Sequence, residues 1–475
     1  MRVHCLPLLL ATACTADAST PFTTDTTNTT DTTNTTNTTD TTDTTPTDTG
    51  TPAREDHLVT IRVRRHEGTG LVMTADEEGA FVATTVLDDR ADLDDLDDLD
   101  DVDGSEVTIA MPPGGSVTVA LVGVDGEEVN LHTVVAPADG STLSFEGLAA
   151  NPVIGEYEYT IDDPGGLGPY YSMVFDCGAH GMTSPGTGTA RLKPSCFADD
   201  GSLDAFAHVS TGGGDGTILA FATATDIPVQ GETPDLSAEV TFSDWATDLG
   251  SVELTYHNDA GLGSDLFTSL RSKTLRNGGS WLHRSVFGNV APEDSRRLTT
   301  QIEDDYFDQT FAYVLVDDRG AFTRQLGEAA PIPGPDDALG VTLHSSELPE
   351  ELVDSSFDWS TLTMRHGVEA SSSCLGSPWV QVLADLAQSD GDVFYWWRLA
   401  APFSFDGQFP ELDPAYAGVF WPEALDPEAG AWGVNLRALP GITYPETVTT
   451  GDATSYFVLE EVAGAERLCE TSAYY

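Results

Sequence analysis

Ser116-Val117-Thr118-Val119-Ala120-Leu121-Val122 is followed by Asp125-Gly126, an apolar run over 129–135, Asp139-Gly140, Leu143 and Phe145, and then Gly155-Glu156-Tyr157-Glu158-Tyr159. Apolar side chains alternate with small or polar ones in steps of two, and the runs stop at Asp-Gly pairs. A period of two places successive side chains on opposite faces of a strand, and Asp-Gly supplies the positive φ that tight hairpins require. The stretch therefore reads as antiparallel strands joined by short turns. Residues 57–86 read as the opening strands of the same unit, and 205–211 with 217–225 as a hairpin around Gly212-Gly213-Gly214-Asp215-Gly216. That glycine-rich tip is no phosphate loop, because no Gly-Lys-Ser/Thr follows it.

The order strand, Asp-Gly, strand, Asp-Gly, Phe145-x-Gly147-Leu148 and Gly155-x-Tyr157 resembles the transthyretin-like or carboxypeptidase-regulatory-like β-sandwich repeats of secreted bacterial proteins. The resemblance covers about 100 residues and implies a fold and a scaffold role, not a reaction. Farther on, Phe311-Ala312-Tyr313-Val314-Leu315-Val316 leads through Asp317-Asp318-Arg319-Gly320 into Ala321-Phe322, which looks like the last hairpin of an immunoglobulin-like or fibronectin-like sandwich. The fold class expected is all-β: two to three antiparallel β-sandwich domains after a disordered Thr/Asp-rich stalk. Pro228 and Pro234 mark one expected boundary, and Pro331, Pro333 and Pro335 another. They divide the chain into a transthyretin-like region over 57–230, a sandwich over 231–330 and an aromatic-rich β domain over 337–475. Within the last, 379–388 is the best short helix candidate.

The 475 residues carry 78 acidic side chains against 20 Lys plus Arg, a formal charge of -58. Nucleic acid is excluded as a partner, because phosphate binding needs clustered cations. An anionic membrane face is disfavoured on the same ground. Lys193 and Lys273 are the two lysines, and so general an acidity reads as adaptation to a salty exterior where screening limits self-repulsion.

The N-terminus has a short basic start, the apolar stretch Leu6-Pro7-Leu8-Leu9-Leu10, and Ala11-Thr12-Ala13-Cys14. This is a secretory signal over 1–13, too short for the roughly 20 apolar residues of a membrane span. Ala11-Thr12-Ala13 fits the ordinary signal peptidase. The same stretch resembles a bacterial lipoprotein signal, which implies acylation of Cys14 and a lipid bilayer as partner at the outer membrane or cell surface. It departs from that pattern at Ala11, with Leu10 one place early. Residues 14–56 repeat Thr-Thr-Asp and Thr-Thr-Asn. Such a segment buries too little apolar surface to offset its ordering entropy and acts as a disordered spacer of about 35 to 40 Å.

Removal of the signal leaves Cys177, Cys196, Cys374 and Cys469 besides Cys14. Proximity along the chain favours Cys177 with Cys196 and Cys374 with Cys469, closing loops of about 20 and 95 residues worth roughly 3 to 4.7 kcal/mol each. Neither pair has the CxxC spacing of zinc or redox sites.

Three features carry candidate chemistry. The run Asp88-Asp89-Arg90-Ala91-Asp92-Leu93-Asp94-Asp95-Leu96-Asp97-Asp98-Leu99-Asp100-Asp101-Val102-Asp103 is dense enough in carboxylates for Ca²⁺, with Asp97, Asp98, Asp100, Asp101 and Asp103 as candidate ligands. It fails the EF-hand pattern at Leu99 and Ala110, which favours the reading as a solvated acidic loop over 88–103 between sandwich strands. His180 follows Cys177 in Cys-Gly-Ala-His-Gly, where a structural or exposed role competes with a functional one. The third feature is aromatic: Trp396, Trp397 and Trp421 are candidates for stacking on sugar rings. Adjacent Trp396 and Trp397 on a strand must face opposite ways, so one packs in a core and the other is free to act as a platform. No Gly-x-Ser-x-Gly elbow or His-Glu-x-x-His occurs. The expected role is binding or structural at the cell surface, with an extracellular glycan or protein as ligand and no cofactor beyond calcium. The alternatives are a polysaccharide hydrolase sited in the C-terminal domain and a calcium-dependent adhesive module.

Overall fold

The computed structural model describes residues 56–475 apart from 65–68, 88–104, 149–152, 176–177, 198–201, 213–217, 232–234, 263–266, 276–280, 288–292, 300–308, 318–321, 331–337, 371–372, 423–429, 450–466 and single positions at 125, 164, 183, 350, 353, 370, 375 and 392. The chain from Arg54 to Tyr475 forms one compact unit. The signal peptide, the stalk and Cys14 lie outside the described residues.

The first unit contains β1 (His57–Arg64), β2 (Thr69–Ala75), β3 (Phe81–Val86), β4 (Ser105–Met111), β5 (Ser116–Val122), β6 (Glu128–Val135) and β7 (Thr142–Glu146). The stretch quoted at the outset supplies β5, β6, β7 and the strand that follows them; Gly126 has φ of 72° in the β5–β6 hairpin, and Gly140 has φ of 73° in the turn by which the chain crosses from β6 to β7 in the other sheet. β1 lies between antiparallel β4 and parallel β7, forming a small sheet. The other four strands pair in the order β3-β2-β5-β6. Val59, Ile61, Val63, Val117, Val119, Leu121, Leu143 and Phe145 close the core between the two sheets.

The second unit comprises β8 (Gly155–Ile161), β9 (Tyr170–Phe175), β10 (Gly178–Met182), β11 (Gly186–Leu192), β12 (Ala205–Ser210), β13 (Ile218–Ala224), the short β14 (Val229–Gln230) and β15 (Leu236–Phe242). β8 lies between antiparallel β11 and parallel β15, and the larger sheet runs β10-β9-β12-β13. The third unit comprises β16 (Ser251–His257), β17 (Phe267–Leu275), β18 (Trp281–Phe287), β19 (Glu293–Thr299), β20 (Gln309–Asp317), β21 (Phe322–Ala330) and β22 (Ala338–His344). Its small sheet is β19-β16-β22 and its large one β18-β17-β20-β21. If the strands of each unit are numbered one to seven, with β14 set aside as an addition, all three share one topology. Strands four, one and seven form the small sheet, and three, two, five and six the large one.

The C-terminal region adds β23 (Ser356–Asp358), β24 (Thr363–Arg365), β25 (Ser373–Cys374), β26 (Ser377–Pro378), β27 (Gln381–Asp390), β28 (Val393–Pro402), β29 (Ala431–Ala438) and β30 (Arg467–Tyr474), with helical turns α1 (Ala417–Phe420) and α2 (Tyr444–Thr449). Its order β28-β27-β29-β30 repeats the three-two-five-six pattern of the large sheets. A reduced small sheet is also present. Thr363 of β24 bridges Gln408 antiparallel, with Met364 N–H donating to the Gly407 carbonyl at 3.0 Å and Phe409 N–H to the Leu362 carbonyl at 2.9 Å. This is the four-one pairing, and the far edge of β24 is held by β23. The C-terminal region is thus a fourth copy of the unit with its small sheet cut down.

Copies one, three and four fuse their large sheets into twelve strands, β18-β17-β20-β21-β30-β29-β27-β28-β6-β5-β2-β3. The β21–β30 junction is antiparallel and the β28–β6 junction parallel. Because every copy has the same hand, the parallel junction turns copy one over. Its small sheet covers one face of the long sheet, while the small sheets of copies three and four cover the other. The sheet is therefore covered on both faces around β2, β5, β27 and β28. Leu71, Met73, Ala120 and Leu131 face one core, and Val72, Val117, Val119 and Leu121 the other. Copy two stays outside this sheet with its own core of Tyr157, Tyr171, Phe175, Val209 and Phe242.

Two expectations are corrected. The helix expected over 379–388 is strand β27: Val382, Ala384 and Leu386 enter one core and Leu383 the other. Burial on two faces erases the alternation that would have marked a strand. The boundary expected at Pro228 and Pro234 falls between the sixth and seventh strands of copy two, and Pro331, Pro333 and Pro335 fall at the same place in copy three. Between those two strands the chain passes from one sheet to the other, and in copy two Pro228 stands just before the two-residue strand β14, where a strand has not yet begun to use its N–H groups. The units accordingly span 57–146, 155–242 and 251–344, and the expected region 231–330 takes in parts of copies two and three.

Candidate functional site

Where copy one's small sheet ends, the twelve-stranded sheet opens to solvent along β28. Its core takes Ala400 of β28 and Leu383 of β27 but stops short of Phe394, Trp396 and Arg398, which share the same face two residues apart. Phe394 is 38% exposed and Trp396 half-buried. The Arg398 guanidinium lies 3.5 Å from the Trp396 ring centroid, and Arg398 Nε is 3.9 Å from Asp385 Oδ1 on β27. A guanidinium stacked on an indole gains cation–π attraction of about 0.5–2 kcal/mol, so the ring is held in place. From β6, Glu128 stands opposite Phe394, Asn130 opposite Trp396 and His132 opposite Arg398. Asn130 Nδ2 donates to Glu128 Oε1 at 3.2 Å. The result is an aromatic shelf edged by a carboxylate, a carboxamide and a guanidinium, the mixture that takes rings on its faces and hydroxyls at its rim.

The other two aromatic candidates are core residues. Trp397 is 1% exposed, donates its indole N–H to Thr133 Oγ1 at 2.9 Å, and meets Phe409 and Trp421 edge-on at 5.1 and 5.2 Å. Trp421 is 6% exposed and also meets Tyr395 edge-on. Neither has a face to offer a sugar, so of the three expected platform residues Trp396 alone reaches the surface. Phe394, Arg398 and Asp385 carry no sequence signal beyond their spacing on a strand. Glu128 and Asn130 come from more than 260 residues away through the parallel β6–β28 pairing, which no local pattern announces.

Cys374 and Cys469 form the expected bridge, with Cα atoms 6.2 Å apart. It ties β25 to β30. Cys196 is buried and disulfide-bonded, and Cys177 lies outside the described residues. His180 sits on β10, opposite Met173 of β9. Asp97, Asp98, Asp100, Asp101 and Asp103 lie outside the described residues, in the connection from β3 to β4. Among the described residues no group of three or more His, Cys, Asp or Glu side chains is arranged to hold a metal ion.

A second polar cluster sits at the end of copy three's small sheet. His257 and His344 are register partners whose rings stack at 4.9 Å. Asp259 accepts from Ser346 N–H at 2.8 Å, Ser346 Oγ at 2.8 Å and Ser345 Oγ at 3.1 Å, and its Oδ2 lies 3.1 Å from His344 Nδ1. The Ser346 backbone and side-chain bonds, then those of Ser345 and His344, hold the Asp259 carboxyl far below the usual range. Ser345 donates to the carboxylate and not to an imidazole, so the group fastens the turn at 345–347 and is no nucleophilic triad.

No protein-family model matches the chain. No curated protein matches it either. Among solved structures, the TIE protein of Bacillus anthracis is similar at 12% identity over 61% of this chain, with a TM-score of 0.15, and the chain spans half the length of that protein. A Bacteroides ovatus protein described as a candidate for cell adhesion is 11% identical over 42% of this chain and 95% of its own, with a TM-score of 0.16. Two B repeat units of the collagen binding protein of Staphylococcus aureus are 9% identical over 75% of this chain and their whole length, with a TM-score of 0.12. Scores this low mark a slight likeness. Among the described residues no helix is long and apolar enough to cross a membrane.

Proposed function

We propose that the protein is a cell-surface binding protein, held by an acylated Cys14 and a Thr/Asp stalk, that contacts an extracellular glycan or protein through the shelf Phe394–Trp396–Arg398. The observation that carries the reading is the exposed Phe394 beside the half-buried Trp396 on a sheet face that is otherwise polar or covered. The shelf sits on β28, at the centre of a twelve-stranded sheet buttressed on both sides, and a rigid support lowers the entropy cost of binding.

The test is a glycan and matrix-protein binding screen on the stalkless protein, repeated with Trp396→Ala and Phe394→Ala. The expected result is binding that either variant weakens by about tenfold or more while the thermal midpoint stays within a few degrees. Binding unchanged in both variants, or none to any ligand, overturns the reading. Thermal unfolding in Ca²⁺ and in chelator adds an independent arm. A ligand of the folded state raises the midpoint, so a shift abolished by Asp100→Asn with Asp101→Asn would favour the calcium-dependent adhesive role for the β3–β4 connection instead.

A further inference from the structure

The aromatic shelf has a facing wall, Tyr474, and we propose that the slot between Trp396 and Tyr474 takes a neutral pyranose ring of an extracellular glycan. This names the ligand class of the shelf and rests on the reading of the shelf as a binding site. Antiparallel pairing carries the shelf face from β28 across β27 and β29 to β30. Trp396 stands opposite Ala387, and Ala387 opposite Ala431; one row along, Arg398 stands opposite Asp385, Asp385 opposite Gly433, and Gly433 opposite Tyr474. Register partners in a ladder share a face. The first row therefore drops from an indole to two methyl groups, and the second ends on a phenol.

Tyr474 is 36% exposed, and its ring leans from β30 over β29. A Cβ on Gly433 would lie 2.6 Å from Tyr474 Cδ1 and 2.9 Å from Cε1, so the missing side chain at 433 is what lets the ring lie there. Ala387 and Ala431 are half-buried and keep the floor between the two aromatic side chains low. Strands lie roughly 4.8 Å apart, so a wall on β28 and a ring over β29 enclose a gap of about 10 Å at the backbone, which the rings narrow. Such a slot suits one sugar ring with its hydroxyls.

Polar groups at its base fit the same ligand. Arg398 Nε and Asp385 Oδ1 are 3.9 Å apart, close enough to attract and too far for a hydrogen bond. Adjacent hydroxyls of a pyranose can serve both, one donating to the carboxylate and the next accepting from the guanidinium, while the C–H face of the ring lies on an aromatic side chain. Burial first, then the charges of Asp385 and Glu470, raise the pKa of the Tyr474 hydroxyl, which stays a neutral donor. Charge selects a neutral sugar. Arg398 is matched by Asp385, and Arg437 on the same face by Glu470 at 3.2 Å. Glu128 adds a carboxylate at the rim, in a chain of net charge -58. A uronate or sulfated chain would meet repulsion where a neutral one meets none.

The experiment runs the full mature chain through native gels cast with galactomannan, xyloglucan or arabinogalactan, with alginate as the uronate polymer and with gelatin as a protein probe. The expected result is retardation by at least one of the three neutral polymers and not by alginate. Two variants leave Phe394 and Trp396 in place: Tyr474→Ala removes the facing wall, and Ala387→Leu fills the floor. Each should weaken binding by about tenfold or more, as Trp396→Ala does. Tyr474→Ala keeps the test sound should Ala387→Leu misfold, as a thermal scan would show. Binding lost in Trp396→Ala but indifferent to Tyr474→Ala overturns the slot and leaves the shelf standing. Retardation by gelatin alone, lost in Trp396→Ala, does the same, because the shelf would then hold a protein. Equal retardation by alginate overturns the choice of a neutral sugar, and binding to none of the probes overturns the proposal outright.

Discussion

Trp396 and Trp397 are adjacent in the chain and opposite in environment. Pleating alone requires the contrast; which residue is buried follows from the side on which the reduced small sheet of copy four lies. Trp397→Ala empties a space lined by Phe409, Trp421 and Thr133 and should cost about 3 to 5 kcal/mol in urea unfolding. Trp396→Ala should cost about 1 kcal/mol or less, the scale of a surface cation–π contact. Equal losses would contradict the assignment of faces. His366 supplies a pH dependence. Val368 N–H donates to its Nδ1 at 3.2 Å, so Nε2 carries the proton toward the Phe403 carbonyl. Burial lowers its pKa, outweighing the opposing pull of Asp406 and the Phe403 bond. The unfolded chain therefore takes up the proton first. The contribution of neutral His366 is complete above about pH 6.5 and is lost as pH falls through that value toward the folded pKa. The midpoint should thus fall less between about pH 7.5 and 5.5 in His366→Gln than in the parent.

At the scale of the element, strands with one covered face were legible. β1 and β8, with clean alternation of buried and exposed residues, follow the patterned stretches 57–86 and 155–159 closely. The hairpin β12–β13 lies where alternation and a glycine-rich tip placed it. β27 was misread because both its faces are covered, so Val382, Leu383 and Ala384 form a continuous apolar run that suits a buried strand or a short helix equally. The prolines were identified as punctuation but given the wrong meaning. A crossover between sheets and a linker between domains both interrupt a strand, and proline does so in either. The shelf was half legible: Trp396 stood out, while Glu128, Asn130 and Asp385 belong to other strands.

At the scale of the molecule, the C-terminal copy acts as a splice. It joins copies one and three through one hydrogen-bonded sheet and passes over copy two, although copy two lies between them in sequence. Copies one, three and four share cores across the junctions, as Leu71, Val314 and Leu386 belong to one cluster. Calorimetry should therefore show two transitions, one for the joined copies and one for copy two, whose core is its own. A core substitution such as Val209→Ala should move only the second, whereas Leu386→Ala should move only the first. A single transition displaced by both would mean that copy two is coupled to the rest.

Period-two patterning and Asp-Gly turns were sufficient for an all-β chain of sandwich type, because each is a local property; the even set of cysteines allowed three pairings, of which proximity favoured the Cys374–Cys469 bridge that the structure contains. The number of copies, the order of their strands, the splice and the burial of Trp397 and Trp421 were decided only by the tertiary structure. A strand's sequence records how it is covered, but its edges bond through backbone groups that are the same in every residue, so the identity of its neighbour is written only in the packing of the whole.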